Sequence, residues 1–149
     1  MSRPTNKTRV LFLCTGNSCR SQMAEGLLRE LAGDQYEASS AGVSPTQVNA
    51  MAVRVMAEVA VDISGQRSKS VDDMTGREFD YVITVCDKAR EACPIFSSAG
   101  RQLHWGFEDP AQAVGTEEER LHAFRKVRDA ISERLRHFIG TPSIQSSRS

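Results

Sequence analysis

Short apolar runs alternate along the chain with longer stretches in which apolar residues recur every three or four positions. Thr8 to Cys14, with Val10-Leu11-Phe12-Leu13 at its centre, reads as a buried strand. Ser18 to Leu31 follows as a helix, with Met23, Leu27, Leu28 and Leu31 at helical spacing and Gly33 as its stop. Tyr36 to Val43 is a second strand, ended by Gly42 and Pro45. Asn49 to Val59 is helical, with Met51, Val55 and Val59 on one stripe. A polar connection from Ser64 to Gly76, with a short helix near Val71 to Met74, leads to Phe79–Val85, the strongest strand signal. Arg101 to Trp105 is a fourth strand. Glu117 to Phe138 is a long helix with Leu121, Phe124, Val127, Ile131, Leu135 and Phe138 on one face. Such alternation predicts an α/β fold: a single-domain three-layer sandwich, a four-stranded parallel sheet with helices on both faces. Residues 8–139 form the expected domain, with a flexible N-terminal tail at 1–7 and a flexible C-terminal tail at 140–149.

A chain of 149 residues suits one domain with a real core. Its 19 basic and 19 acidic residues cancel, so neither a nucleic-acid nor a membrane surface is expected. The apolar run nearest the N-terminus, Val10 to Cys14, is too short for a signal peptide or a membrane span. A cytoplasmic monomer is the expectation. In a reducing compartment four cysteines point to redox chemistry or metal rather than to a disulfide scaffold. No Cys-x-x-Cys pair occurs, and His104, His122 and His137 are scattered, so no metal is assigned.

Ligands of parallel α/β sheets sit at the carboxyl ends of strands. The first strand ends in Cys14-Thr15-Gly16-Asn17-Ser18-Cys19-Arg20-Ser21, directly before a helix. The inward N–H groups of such a loop, with the positive end of the helix behind them, form an oxyanion cradle built from Thr15 to Ser21. Arg20 can grip two anion oxygens through its planar fork. The same field favours a thiolate at Cys14. Taken alone, Cys14 would be a small core residue. The turn-forming Gly16, Asn17 and Ser18 and the anion-seeking Arg20 make it a nucleophile instead. Cys19 reads as a structural or polarisable contact within the loop. Asp109, before Pro110 and beyond the fourth strand, is either a turn aspartate or the acid that protonates a departing oxygen. Cys86 and Cys93 flank a charged segment, with Lys88 and Arg90 between them. Each could be an inert thiol, but together they could supply two electrons.

The segment from Val10 to Glu25 (Val-Leu-Phe-Leu-Cys-Thr-Gly-Asn-Ser-Cys-Arg-Ser-Gln-Met-Ala-Glu) resembles the low-molecular-weight tyrosine phosphatase superfamily. Cys86, Cys93 and His104-Trp-Gly-Phe-Glu-Asp-Pro-Ala111 make the chain similar to the thioredoxin-coupled arsenate reductases on that fold. The resemblance runs from about Thr8 to about Phe138. It implies that Cys14 attacks arsenate held by the loop and Arg20 while Asp109 assists loss of an oxygen as water. Cys86 then releases arsenite and forms a Cys14–Cys86 disulfide, and Cys93 takes over to leave Cys86–Cys93 for thioredoxin to reduce. Asn17 and Ser21 would shape the site and hydrogen-bond the nucleophile. No cofactor is bound; electrons come from NADPH through thioredoxin reductase and thioredoxin, in arsenic detoxification.

The alternatives are a phosphatase hydrolysing aryl phosphates through Cys14, Arg20 and Asp109, and a non-enzymatic oxyanion or redox sensor. Phosphatases of this fold carry tyrosines after Asp-Pro, whereas Ala111 and Gln112 stand here. Some reductases of this branch hold an alkali cation at positions matching Asn17, Glu25 and Ser40 plus an aspartate. Lys69 falls where that aspartate would be, and an ammonium there opposes a bound cation. A regular helix from Cys86 to Cys93 would hold their Cα atoms about 10.5 Å apart along its axis. A disulfide needs about 7 Å or less. Forming that bond would therefore unwind the segment.

Overall fold

The computed structural model describes residues 7–74, 76–86 and 100–140. The expected tails, except Lys7 and Gly140, lie outside the described residues. So do Cys93, Pro94 and the segment expected to unwind between the two cysteines.

In chain order the elements are strand β1 (Thr8–Cys14), helix α1 (Arg20–Ala32), strand β2 (Tyr36–Gly42) and helix α2 (Ala50–Ala57). A 3-10 turn (Val71–Asp73), strand β3 (Tyr81–Thr84) and strand β4 (Arg101–His104) follow. A second 3-10 turn (Pro110–Gln112) and helix α3 (Glu117–Ile139) complete them. The four strands are parallel in the order β2-β1-β3-β4. β1 is interior, which is why its apolar run is unbroken: Val10 to Leu13 are wholly buried. β4 is an edge, and Arg101 and Gln102 are exposed on it. α1 and α3 pack together against one face of the sheet. α2 packs beside them, the Val55 carbonyl accepting from Arg128 Nη1 of α3 at 2.8 Å, and the parallel sheet with its helices makes the expected α/β sandwich.

Local chemistry sets the helix limits. Thr116 and Glu119 close a capping box at the start of α3. Glu117–Glu119 at that end and Arg136 and His137 at the other complement the helix dipole. Asn49 caps α2 by accepting from the Met51 and Ala52 N–H groups. α1 begins two residues later than its apolar spacing suggests, because Ser18 and Cys19 remain in the loop. Gly33 does end α1, but with a right-handed φ of −64°. What favours glycine there is the Arg29 carbonyl, 2.4 Å from where a Cβ would stand. Phe138, at the end of α3, packs edge-on against Tyr81 and Trp105, with ring centroids 5.0 and 5.4 Å away.

The register places Gly42, the last residue of β2, beside Cys14, the last residue of β1. A Cβ on Gly42 would meet Asn17 N and Thr15 O at 2.7 Å each. Both are backbone atoms of the loop and cannot rotate aside. Gly42→Ala should therefore lower the unfolding free energy by about 1–3 kcal/mol, the usual cost of overpacking. Denaturant titration of the two proteins measures it. An unchanged midpoint would show that the loop yields freely.

Candidate active site

The loop between β1 and α1 is held from outside by its carbonyls. Cys14, Thr15, Gly16 and Ser18 accept from the backbone N–H groups of Val43, Ser44, Thr46 and Asn49. The Asn17 carbonyl accepts from Ser68 Oγ at 2.7 Å and Gln22 Nε2 at 3.0 Å. A trans peptide points its N–H opposite to its C=O, so outward carbonyls turn the amides into the concave side. Asn17 takes φ of 49°, a left-handed value that asparagine tolerates, and this bends the loop. Among the described residues no side chain caps α1, and its first turn holds no acidic residue. Its N-terminal field is therefore directed at the loop.

Cys14 lies at the base of this cradle, 3% exposed, with Sγ 2.9 Å from Ser21 Oγ. Ser21 Oγ accepts from Asn17 Nδ2 at 2.8 Å, leaving its own proton for the sulfur. Arg20 Nη1 donates to the Phe107 carbonyl at 3.0 Å, and its Nη2 lies 3.6 Å from Asp109 Oδ2. Arg20 Nε is buried with no hydrogen-bond partner among the described residues. A buried donor of that kind next to inward amides suits a tetrahedral oxyanion. Asp109 serves the turn, its Oδ1 accepting from Ala111 N–H at 3.0 Å to start the 3-10 helix, while its Oδ2 faces Arg20. Cys19 is buried in the loop and aims its thiol at Asp109 Oδ1, 3.8 Å away. Burial first, then the negative field of Asp109 and Cys14, pushes the Cys19 thiol up to about 12. It is therefore a protonated donor at neutral pH.

Cys86, just beyond β3, is buried with Sγ 3.3 Å from Thr15 Oγ1. The structure thus brings a second thiol against the residue following Cys14. Cys93 is outside the described residues. His104 pairs with Thr84 Oγ1 at 2.8 Å on the strand ends, and His122 and His137 are exposed on α3.

Behind the loop, Glu25 is buried in α1. Its Oε1 accepts from Ser40 Oγ at 2.5 Å and lies 3.7 Å from Lys69 Nζ; its Oε2 pairs with Arg29. Burial pulls the Lys69 ammonium below its usual range, and the Glu25 carboxylate opposes that pull. These residues do not fit an alkali cation, because two protein cations already face the one carboxylate. Melting curves in potassium and sodium salts at equal ionic strength should therefore coincide. A rise of several degrees specific to potassium would show that Lys69 leaves the site.

Several participants lack a sequence signature. The Phe107 carbonyl is backbone. Gln22 is wholly buried, and its partner Gln66 lies in the polar connection. The available signal was a glutamine and a glutamate, Gln22 and Glu25, set among the apolar residues of the first turns of α1.

The family model for low molecular weight phosphotyrosine protein phosphatase matches residues 9–148. An arsenate reductase of Halalkalibacterium halodurans is 46% identical over 136 residues, covering 91% of this chain and 98% of the relative. The arsenate reductase of Bacillus subtilis is 46% identical over 132 residues, 89% of this chain and 95% of the relative. Among solved structures, an arsenate reductase in the phosphate-binding state superposes with a TM-score of 0.77 at 33% identity, covering 89% of this chain and 96% of that one. The thioredoxin-dependent arsenate reductase of Corynebacterium glutamicum gives 0.72 at 28% identity, with 98% of this chain and 66% of that one covered. Fold, loop and relatives agree: the chain belongs to the low molecular weight phosphotyrosine protein phosphatase family, in the branch whose named members are arsenate reductases.

Proposed function

We propose that this protein reduces arsenate to arsenite by a cysteine relay, with thioredoxin as the electron donor and arsenic detoxification as its setting. The Cys14 thiolate attacks arsenic and an arsenate oxygen leaves as water, its proton supplied by Asp109. Cys86 then attacks Cys14 Sγ. The sulfur–arsenic bond breaks, arsenic keeps the electron pair and leaves as arsenite, and the two sulfurs are oxidised to a disulfide. Cys93 attacks Cys86 Sγ and Cys14 leaves as thiolate. The Cys86–Cys93 disulfide takes two electrons from the thioredoxin dithiol, which NADPH restores through thioredoxin reductase. The observation that carries this reading is Cys86 Sγ at 3.3 Å from Thr15 Oγ1. A phosphatase requires no second thiol at its loop. No aromatic wall stands at Ala111 or Gln112, both exposed, to receive a phosphotyrosine ring.

Arsenate-dependent oxidation of NADPH, in the presence of thioredoxin and its reductase, tests the activity. Cys14→Ser should abolish it together with any aryl-phosphate hydrolysis, a loss on the order of a thousandfold or more. Substantial turnover of either kind in that variant would place the chemistry elsewhere.

Cys86→Ser and Cys93→Ser should each block reductive turnover yet leave a residual aryl-phosphate hydrolysis, which uses only the loop, Arg20 and Asp109. Parallel assays of both activities on the folded variants decide. Equal loss of the two would refute this division of labour.

A further inference from the structure

A line of side-chain hydrogen bonds runs from the surface to the nucleophile, each link donating toward Cys14. Arg29 Nη1 donates to Gln66 Oε1 at 2.9 Å, and Gln66 Nε2 donates to Gln22 Oε1 at 2.6 Å. Gln22 Nε2 donates to Asn17 Oδ1 at 2.9 Å, Asn17 Nδ2 to Ser21 Oγ at 2.8 Å, and Ser21 Oγ lies 2.9 Å from Cys14 Sγ. The direction is imposed at every amide. A guanidinium only donates, so Arg29 must face an oxygen of Gln66. Gln22 Nε2 faces three oxygens (Asn17 O, Asn17 Oδ1 and Arg67 O), where an amide oxygen would be repelled. Asn17 Oδ1 also accepts from the Lys69 backbone N–H at 2.8 Å, which leaves Nδ2 for Ser21. Ser21 Oγ still has its proton after accepting from Asn17, and a Cys14 thiolate, which has no proton to give, must accept it.

We propose that Gln22 and Gln66 are positioning residues for Cys14: with Arg29 they form a polarised donor chain whose last proton rests on the thiolate. The proposal relies on the reading of Cys14 as the nucleophile. Asn17, Ser21 and Gln22 are wholly buried, so each dipole acts in a low dielectric and strengthens the next. The chain begins at a cation and ends at a developing anion, the favourable order. The charged groups around the sulfur are Arg20 and Asp109 in front and Glu25, Arg29 and Lys69 behind. Among the described residues, Arg29 is the one of these charges whose side chain heads the chain to the sulfur.

The test is alkylation of Cys14 by iodoacetamide across a range of pH, on the full-length reduced protein, with the modified cysteine identified by tandem mass spectrometry. Gln66→Leu removes one link at a half-buried site and should slow Cys14 alkylation at neutral pH by about threefold; Gln22→Leu should slow it by about tenfold. Both should displace the rate profile to higher pH and leave Cys86 alkylation unchanged. Should Gln22→Leu fail to fold, Gln66→Leu decides alone. A lowered melting temperature with the parent's pH profile at Cys14 would make these glutamines packing residues only and overturn the proposal. Failure of the functional reading is seen separately, as a parent protein without arsenate-dependent turnover whose alkylation still responds to these substitutions.

Discussion

The site rests on the outward pull on the loop carbonyls between Cys14 and Ser18. Four of them are bonded by the backbone between Val43 and Asn49, which follows β2. Peptide planarity does the rest, turning the amides inward. For the two backbones to approach this closely, the end of β2 must carry no side chain, and Gly42 meets that demand. The position of Arg20, the direction of the α1 dipole and the depth of Cys14 all follow from this contact between two strand ends.

The charges are arranged on two sides of that loop. In front, Arg20 is shared between a carbonyl and the Asp109 carboxylate. Behind, Glu25 would be costly in its buried position without partners, and Ser40, Arg29 and Lys69 meet that cost. A zero net charge therefore coexists with a strongly structured local field. That field comes from the placement of charges rather than from an excess of basic residues.

Much of this was legible in the chain. The uninterrupted apolar run of β1 marked an interior strand, and the turn-forming residues after it marked the loop. The four parallel strands and the long α3 also follow from periodicity. The start of α1 did not, because helical spacing is blind to the demand of a loop for two more residues. Contacts that span the chain were equally hidden. Gln22 meets Gln66 44 positions away, and Cys19 meets Asp109 90 positions away. The sequence places Lys69 opposite Glu25 only through a resemblance; the distance between them is a product of the fold. Asp109 shows a different limit: its place before Pro110 foretold the turn that its Oδ1 starts, but not that its Oδ2 would face Arg20.

The chain has a single tryptophan, and its location gives it an optical use. Trp105 is buried between Phe12 and Phe138, with the Arg134 guanidinium 5.2 Å from its ring centroid. It stands two residues before Phe107, whose carbonyl holds Arg20. Its emission thus has one address, beside the strand end whose Phe107 carbonyl holds Arg20. Intrinsic fluorescence in this protein is a local gauge of that end of the sheet rather than an average over the molecule.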